Sequence, residues 1–324
     1  MKAMVCEAFG GPEVLALREV PDPPPPGAGE IQVRIGARGV QYVDVLMLAG
    51  KYQTRPEPPF IPGSEAAGEV IAVGPGVGDF RVGDRVMSRH SLGACAEIGN
   101  AKAALCDKVP ERMSIEEAGV FRGAYATAYH ALLQRGRLVA GEWVLVHGAA
   151  GGIGISAIQI AKLFGAKVIA TASTEAKRAA CLEEGADHAI DYRVGFVDQV
   201  KALTGGRGVD IVYDPIGDKV AEESLRCLAW GGRLLILGFL GGGPTNIKSN
   251  YLLIKGIDAV GVRIGGLNEA NPALAIANFK ALTELAGQGK LKPRISHRFR
   301  LDQAAQALQA VIDREVIGKA VLVS

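Results

Sequence analysis

Val146-His147-Gly148-Ala149-Ala150-Gly151-Gly152-Ile153-Gly154 joins an apolar run, Trp143–His147 (WVLVH), to ISAIQIAKLF, whose apolar residues recur at i, i+3 and i+4. That context, strand then glycines then helix, is what a dinucleotide fingerprint requires. Glycines there permit a tight turn, let the main chain approach a pyrophosphate, and let the helix pack closely on the strand. N–H groups at the start of the helix then face the phosphates. The match to G-x-G-x-x-G is imperfect, because Ala149 occupies the place of the first glycine. A tight turn can also use glycine with no ligand at all. What favours a cofactor is that this turn heads a series of four βα units.

The series continues with Lys167–Ala172 (KVIATA), a helix over TEAKRAACLEEG, Ala186–Ile190, a further helix, Val209–Tyr213 (VDIVY), a helix over VAEESLRCLAW, and Arg233–Phe239 (RLLILGF). Apolar runs alternating with amphipathic helices imply a parallel sheet covered on both faces. Upstream the texture is different. Residues 1–124 hold β-type runs, KAMVCEAF, EIQVRIGARGV and GEVIAVGPGVGDFRVGDRVM, cut by glycine and proline. Gly74-Pro75-Gly76, Gly78-Asp79 and Gly83-Asp84 are turn signals at hairpin spacing. The stretch Pro21–Gly27 must be an extended connection, since proline lacks the N–H that a strand or helix needs. This half reads as a glycine-turned β-barrel. After Gly265-Gly266 come a helical stretch, Asn271–Gln288, a helix at Asp302–Ile312 and a closing strand, Ala320–Val323. These are too few to form a domain and return to the first one. The expected division is 1–124, completed by 266–324, and 125–265.

The 324 residues suffice for two domains. Hydrophobic residues make up 48% and charged residues 22%, which excludes a disordered chain. Lys+Arg 36 against Asp+Glu 34 gives a net charge of +2 with the charges scattered, so a nucleic-acid or membrane-surface role has no electrostatic support. No apolar run approaches the ~18–20 residues that span a bilayer. The N-terminus has no signal-peptide pattern. The five cysteines, Cys6, Cys95, Cys106, Cys181 and Cys227, are far apart with no C-x-x-C pair. They read as reduced thiols in a cytoplasmic protein.

An NAD site places Asp or Glu at the end of the second strand, about 20 residues past the glycine turn, to hold the ribose 2′-OH. Here that region is Ala170-Thr171-Ala172-Ser173-Thr174, with no carboxylate until Glu175 and with Lys177 and Arg178 one helical turn on. A carboxylate repels a 2′-phosphate, whereas a hydroxyl and a cation favour it. The expected cofactor is NADPH.

Together these segments resemble the medium-chain dehydrogenase/reductase superfamily over essentially the whole chain, and within it the zinc-free quinone oxidoreductase (zeta-crystallin-like) group. The resemblance is carried by Gln41–Asp44, Pro62–Gly68, Gly83–Val86, Thr127–Tyr129, His147–Gly154 and Gly318–Val323, in that order and at those spacings. It implies a GroES-like β-barrel domain, a Rossmann domain and a cofactor cleft between them. Zinc-dependent relatives carry Cys where Gln41 stands and His where Ser64 stands, and neither Gln nor Ser is a usual zinc ligand. The relatives' lobe of four close cysteines is missing, and His90, His130, His147, His188 and His297 are dispersed. The expected metal content is none.

Without a Lewis acid nothing stabilises an alkoxide, so acceptors that take hydride readily fit better than alcohols. The resemblance puts Gln41, Tyr52 and Arg263 around the acceptor and Thr127 near the nicotinamide. It carries Gly151, Gly152 and Ile153 to the pyrophosphate, and Ser173, Lys177 and Tyr192 to the adenosine phosphate. Phe239 and Leu240 fall beside the nicotinamide, with Lys319 reaching the cofactor from the closing segment. Gln41 departs from the Asn common in the group. Gln41 or Tyr52 is suited to hydrogen-bond a quinone oxygen and Arg263 to stabilise developing negative charge. Plainer readings stand beside these: Tyr52 as a half-buried loop aromatic, Arg263 as a salt-bridge partner at the sheet edge, Asp44 as a helix-start residue.

The leading expectation is a metal-free NADPH-dependent quinone reductase, by hydride or by single electrons. One alternative reduces the C=C bond of enones, alkenals or acrylyl thioesters, with Tyr52 or water as proton donor. Another is a non-catalytic NADPH-binding protein, crystallin-like or RNA-associated. The last Rossmann strand, about 256–263, leaves an edge that such proteins cover or pair, and a homodimer is expected.

Overall fold

The computed structural model describes residues 1–324, which divide into two compact units, Met1–Gly123 with Phe279–Ser324, and Ala124–Asn278.

In the second unit six strands form one sheet in the order His188–Ile190, Lys167–Thr171, Trp143–Val146, Val209–Asp214, Leu228–Ile236, Asp258–Gly261. Every neighbouring pair is parallel. In chain order this is 3-2-1-4-5-6, the doubly wound arrangement, whose direction reverses between Trp143–Val146 and Val209–Asp214. The central strands carry no polar alternation because both faces are covered. Val144, Leu145, Val146, Val212 and Leu234 are fully buried.

Three details differ from the sequence reading. The helix expected over VAEESLRCLAW spans only Asp218–Ser224, and Leu228-Ala229-Trp230 open the fifth strand. That strand ends at Ile236, so Phe239 and Leu240 lie beyond it in a loop. Gly265 and Gly266, read as a break, fall inside a short helix, Ile264–Ala270.

In the first unit a seven-stranded sheet is built on the long strand Glu30–Val40. Glu65–Val73 pairs with one edge and the C-terminal strand Lys319–Val323 with the other, both antiparallel, with Ala320 opposite Val40 and Val323 opposite Ala37. Arg85–Arg89 and Cys106–Lys108 extend one side and Ile295–Arg300 the other, while Ile98–Lys102 also pairs with Glu30–Val40. A hairpin of Lys2–Cys6 and Leu15–Glu19 stands apart. Pro21–Gly27 forms neither strand nor helix.

The return to the first unit comes at 278/279 rather than at 266, because one helix, Pro272–Gly287, changes allegiance along its length. Asn278 exchanges hydrogen bonds with Gln134 (2.7 and 3.1 Å). The next residue, Phe279, packs its ring on Phe121 and under the Arg122 guanidinium, 3.8 Å away. The helix Ile115–Tyr129 continues into a π-helical turn, His130–Arg135, which no periodicity announced.

Candidate functional site

In the second unit the glycine turn sits at the carboxyl end of Trp143–Val146, next to the point where strand order reverses. Gly148 takes the left-handed conformation (φ +59°), so the tight bend is made one residue before Ala149. Ala149 is then free to be an L-residue: it is buried, and its N–H donates to Thr171 O at 3.3 Å. Gly151 caps the helix Gly152–Leu163. The N–H groups of Gly152, Ile153 and Gly154 lie in its first turn, where an α-helix supplies no acceptors. A Cβ on Gly154 would lie 2.5 Å from the carbonyl oxygens of both Gly148 and Ala149, so only glycine permits this close packing. A Cβ on Gly151 would meet nothing but Gly148 O, at 3.4 Å, so the space over the turn is open. Turn, dipole and helix-start N–H groups together are suited to an anion.

His147 has no part in that chemistry. It is fully buried between Thr171 Oγ1 (3.0 Å from Nδ1) and Ser224 Oγ (2.8 Å from Nε2), with Phe196 edge-on. Ser224 gives its own proton to Val220 O at 2.7 Å, so Nε2 must be the protonated nitrogen. Burial pushes the imidazole down to about 3, and it is a neutral tie between strands and helix.

Past the second strand, Ala172-Ser173-Thr174 carries no carboxylate. Thr174 Oγ1 accepts from Lys177 N at 3.3 Å and caps the helix Glu175–Glu183, placing Lys177 in its first turn beside half-buried Ser173. The carboxylate following the neighbouring strand, Asp191, is engaged by Arg178 (3.1 Å) and Arg193 (2.6 Å). Those bonds hold its carboxyl well below the ordinary carboxylate range. Tyr192 is half-buried against the core of this unit. Nothing in the sequence pattern singled out the Arg178–Asp191–Arg193 cluster, which joins the helix Glu175–Glu183 to the segment after the strand His188–Ile190.

At the fourth and fifth strand ends, buried Asp214 accepts from the N–H of Ile216 (2.9 Å) and Gly217 (3.1 Å). Burial raises it to about 6. The loop so pinned pairs with the loop after the fifth strand, Gly241 N donating to Ile216 O at 2.7 Å and Leu240 N to Pro215 O at 3.1 Å. Phe239 lies against Gly217, where a Cβ would come within 2.9 Å of its ring. Phe239 is nevertheless 51% exposed and Leu240 37%. Apolar side chains open to solvent at carboxyl strand ends suit a ligand face. Thr127 is half-buried on the helix Ile115–Tyr129. Arg263 follows the edge strand and pairs bidentately with Glu269 (2.9 and 3.1 Å), both half-exposed, so the plainer reading describes its present partner.

In the first unit the helix Tyr42–Leu48 starts at Gln41, whose N–H donates to Asp44 Oδ2 at 2.9 Å. Gly123 lies beside the Gln41 amide and the Glu65 carboxylate: a Cβ there would meet both at about 3.1 Å. Glu65 Oε2 accepts from Gly123 N at 2.7 Å, and Glu65 Oε1 accepts from Lys319 Nζ at 3.0 Å. Lys319, expected to reach the cofactor, is therefore turned inward, 8% exposed against a partner 3% exposed. Burial raises Asp44 to about 7, with Gln41 N–H and the Lys319 ammonium opposing and Glu65 reinforcing. Tyr52 is half-buried against the cluster containing Met47, Phe60 and Leu308.

A zinc ion does not fit these residues. Gln41 and Ser64 offer a neutral amide and hydroxyl. No three His, Cys, Asp or Glu side chains converge.

Comparison with known proteins agrees with this architecture. Residues 27–140 match the alcohol dehydrogenase GroES-like domain and residues 152–280 the zinc-binding dehydrogenase domain. The chain is 35% identical to mouse quinone oxidoreductase-like protein 2 over 99% of its length and 91% of that protein's. It is 33% identical to human quinone oxidoreductase over 96% and 94%. The crystal structure of Escherichia coli quinone oxidoreductase complexed with NADPH superposes with a TM-score of 0.92 at 31% identity, covering both chains completely. With both domains matched and relatives of this identity covering its full length, the chain belongs to the quinone oxidoreductase group of the medium-chain dehydrogenase/reductase superfamily.

Proposed function

We propose that this oxidoreductase is an NADPH-dependent, metal-free quinone reductase. The observation that carries the reading is the acid-free end of the second strand, Ala172–Thr174, with Ser173 and Lys177 beside it, next to a glycine turn that opens a helix. Bound NADPH supplies a hydride. Gly151, Gly152 and Ile153 hold the pyrophosphate through main-chain N–H groups. Ser173 and Lys177 hold the 2′-phosphate, with Tyr192 flanking the adenosine. Arg178 and Arg193 neutralise Asp191, the carboxylate that would otherwise repel that phosphate. Asp214 fixes the 215–217 loop, which holds Phe239 and Leu240 at the strand ends as an apolar, water-excluding surface. Thr127 contributes a hydroxyl at the nicotinamide.

At the acceptor, the amide of Gln41 donates to a quinone oxygen, Tyr52 provides an aromatic wall with a phenol, and Arg263 stabilises developing negative charge. The Arg263–Glu269 pair is half-exposed, and such pairs are worth only about 0–1 kcal/mol, so the guanidinium is readily released to an anion. The donor set at Gln41 and Ser64 supports chemistry without zinc. Five buried free cysteines support a reducing compartment such as the cytoplasm, and no helix is long and apolar enough to cross a membrane. The edge strand Asp258–Gly261 is mostly exposed and supports a homodimer paired along it.

Titration with NADPH and NADH, followed by NADPH oxidation with 1,4-naphthoquinone, tests the reading. It expects NADPH to bind at least about tenfold more tightly, the value of one charge-assisted contact, and quinol to form. Equal affinities, or no quinone turnover, would overturn it.

A further inference from the structure

On the amino-end side of the second unit's sheet, away from the glycine turn, a concavity of about 410 Å³ opens between the helix Val197–Leu203, the starts of the fourth and fifth strands and the helix Ser249–Lys255. Its charged lining is entirely cationic: Lys201, Arg207, Arg226 and Lys255. Their compensation is incomplete. Arg207 pairs with Asp210, whose carboxylate also accepts from Trp143 N at 2.8 Å. Lys255 Nζ donates to the carbonyl oxygens of Leu225 (2.9 Å) and Leu228 (2.7 Å), which fixes it without neutralising it. Lys201 and Arg226 have no carboxylate partner. Burial holds Lys255 below its ordinary value, with Cys227 opposing and the nearby Lys201 ammonium adding a lesser push in the same direction as burial.

Beside these cations Trp230 is 83% exposed. Gly256, at φ +60°, lies under it, and a Cβ there would sit only 3.6–3.8 Å from the indole. Gly256, with no side chain, leaves the indole almost wholly open. Tyr251 completes the wall. A cation cluster in which only Arg207 has a carboxylate partner recruits phosphate, an open indole recruits a planar base, and a cavity of this size accepts a small ligand.

We propose that this concavity is a second ligand site that takes a nucleoside polyphosphate, with phosphates on Lys201, Arg226 and Arg207 and the base on Trp230. It is separate from the cofactor turn, which lies at the opposite, carboxyl end of the strands.

Calorimetric titration of the NADPH-saturated protein with ATP, and separately with inorganic triphosphate, tests this. One further equivalent of ATP is expected, with triphosphate binding more weakly. K201A/R226A should weaken both by about a hundredfold, two charge-assisted contacts of about tenfold each. W230A should weaken ATP alone. Both cations and the indole are on the surface, and circular dichroism of the variants confirms folding. No heat from ATP at millimolar concentration would overturn the proposal, as would binding indifferent to K201A/R226A. Preferential binding of a single-stranded oligonucleotide through the same residues would also overturn it, in favour of a nucleic-acid surface.

Discussion

Replacing Lys319 by Met separates a structural from a ligand-binding role for the closing segment. The ammonium lies 3.0 Å from Glu65 Oε1, with both side chains over nine-tenths buried. Lys319→Met leaves the Glu65 carboxylate in place with the Gly123 N–H as its remaining hydrogen-bond donor. Removing one partner of a buried pair costs about 3–5 kcal/mol, because the survivor is an uncompensated buried charge. That is a large share of a typical domain's 5–15 kcal/mol. Both tryptophans, Trp143 and Trp230, belong to the second unit, so their fluorescence does not report on the first. Amide hydrogen exchange in the strands Glu30–Val40 and Lys319–Val323 does. The expected result is a loss of about 3–5 kcal/mol of protection there, substantial recovery in Glu65→Gln/Lys319→Met, and NADPH affinity within about twofold of the parent. Stability within about 1 kcal/mol of the parent together with a tenfold loss of NADPH affinity would contradict a structural role. Lys319 would then act on the ligand.

At the adenosine phosphate, Ser173→Asp with Lys177→Ala is expected to weaken NADPH at least about tenfold and NADH less than threefold, measured by fluorescence titration. Gly151 and Gly154 are expected to part company under alanine substitution. Gly154→Ala forces two carbonyl oxygens away from a Cβ at 2.5 Å and lowers stability by about 1–3 kcal/mol in thermal unfolding. Gly151→Ala has space, keeps stability within about 1 kcal/mol, and weakens the cofactor by obstructing its phosphates. For Asp44, the carboxyl rises from 3.8 to about 7 on folding, so the folded chain retains a proton that the unfolded chain releases. Stability therefore falls as pH rises from about 4 to about 7, by up to ~4 kcal/mol for three units at ~1.36 each. Asp44→Asn should flatten that slope in urea unfolding, and an unchanged profile would sink the assignment. His147 works in the opposite sense: kept neutral by burial and lowered to about 3, it withdraws stability as pH falls below 6.5.

Period and punctuation made most of the second unit legible. Strands such as Trp143–Val146 and Val209–Asp214 are apolar on both faces, and glycine turns separate them from helices with a clear apolar stripe. The misreading at Leu225–Trp230 has a physical cause. Leu225, Cys227, Leu228 and Ala229 are all buried, and a short apolar run has the same look in a buried helix and in a buried strand. The imperfect fingerprint had a simple resolution, since Gly148 makes the turn assigned to the position of Ala149. Glu65 and Lys319 lay in two of the family-like segments, yet they are 254 residues apart, and only the antiparallel pairing of Lys319–Val323 with Glu30–Val40 brings them together. Arg178 and Asp191 were likewise joined by strand adjacency, not by spacing along the chain. Arg263 shows the converse limit: its position was readable, but its bond to Glu269 rests on a short helix running through two glycines.

The most direct test is the turnover of NADPH by chelator-treated protein, supplied in parallel with 1,4-naphthoquinone and with a simple enone. A metal-free quinone reductase oxidises NADPH at an undiminished rate after chelation, yields the quinol, and leaves the enone largely untouched. Activity lost on chelation and restored by zinc, or saturated carbonyl as the sole product, would contradict it.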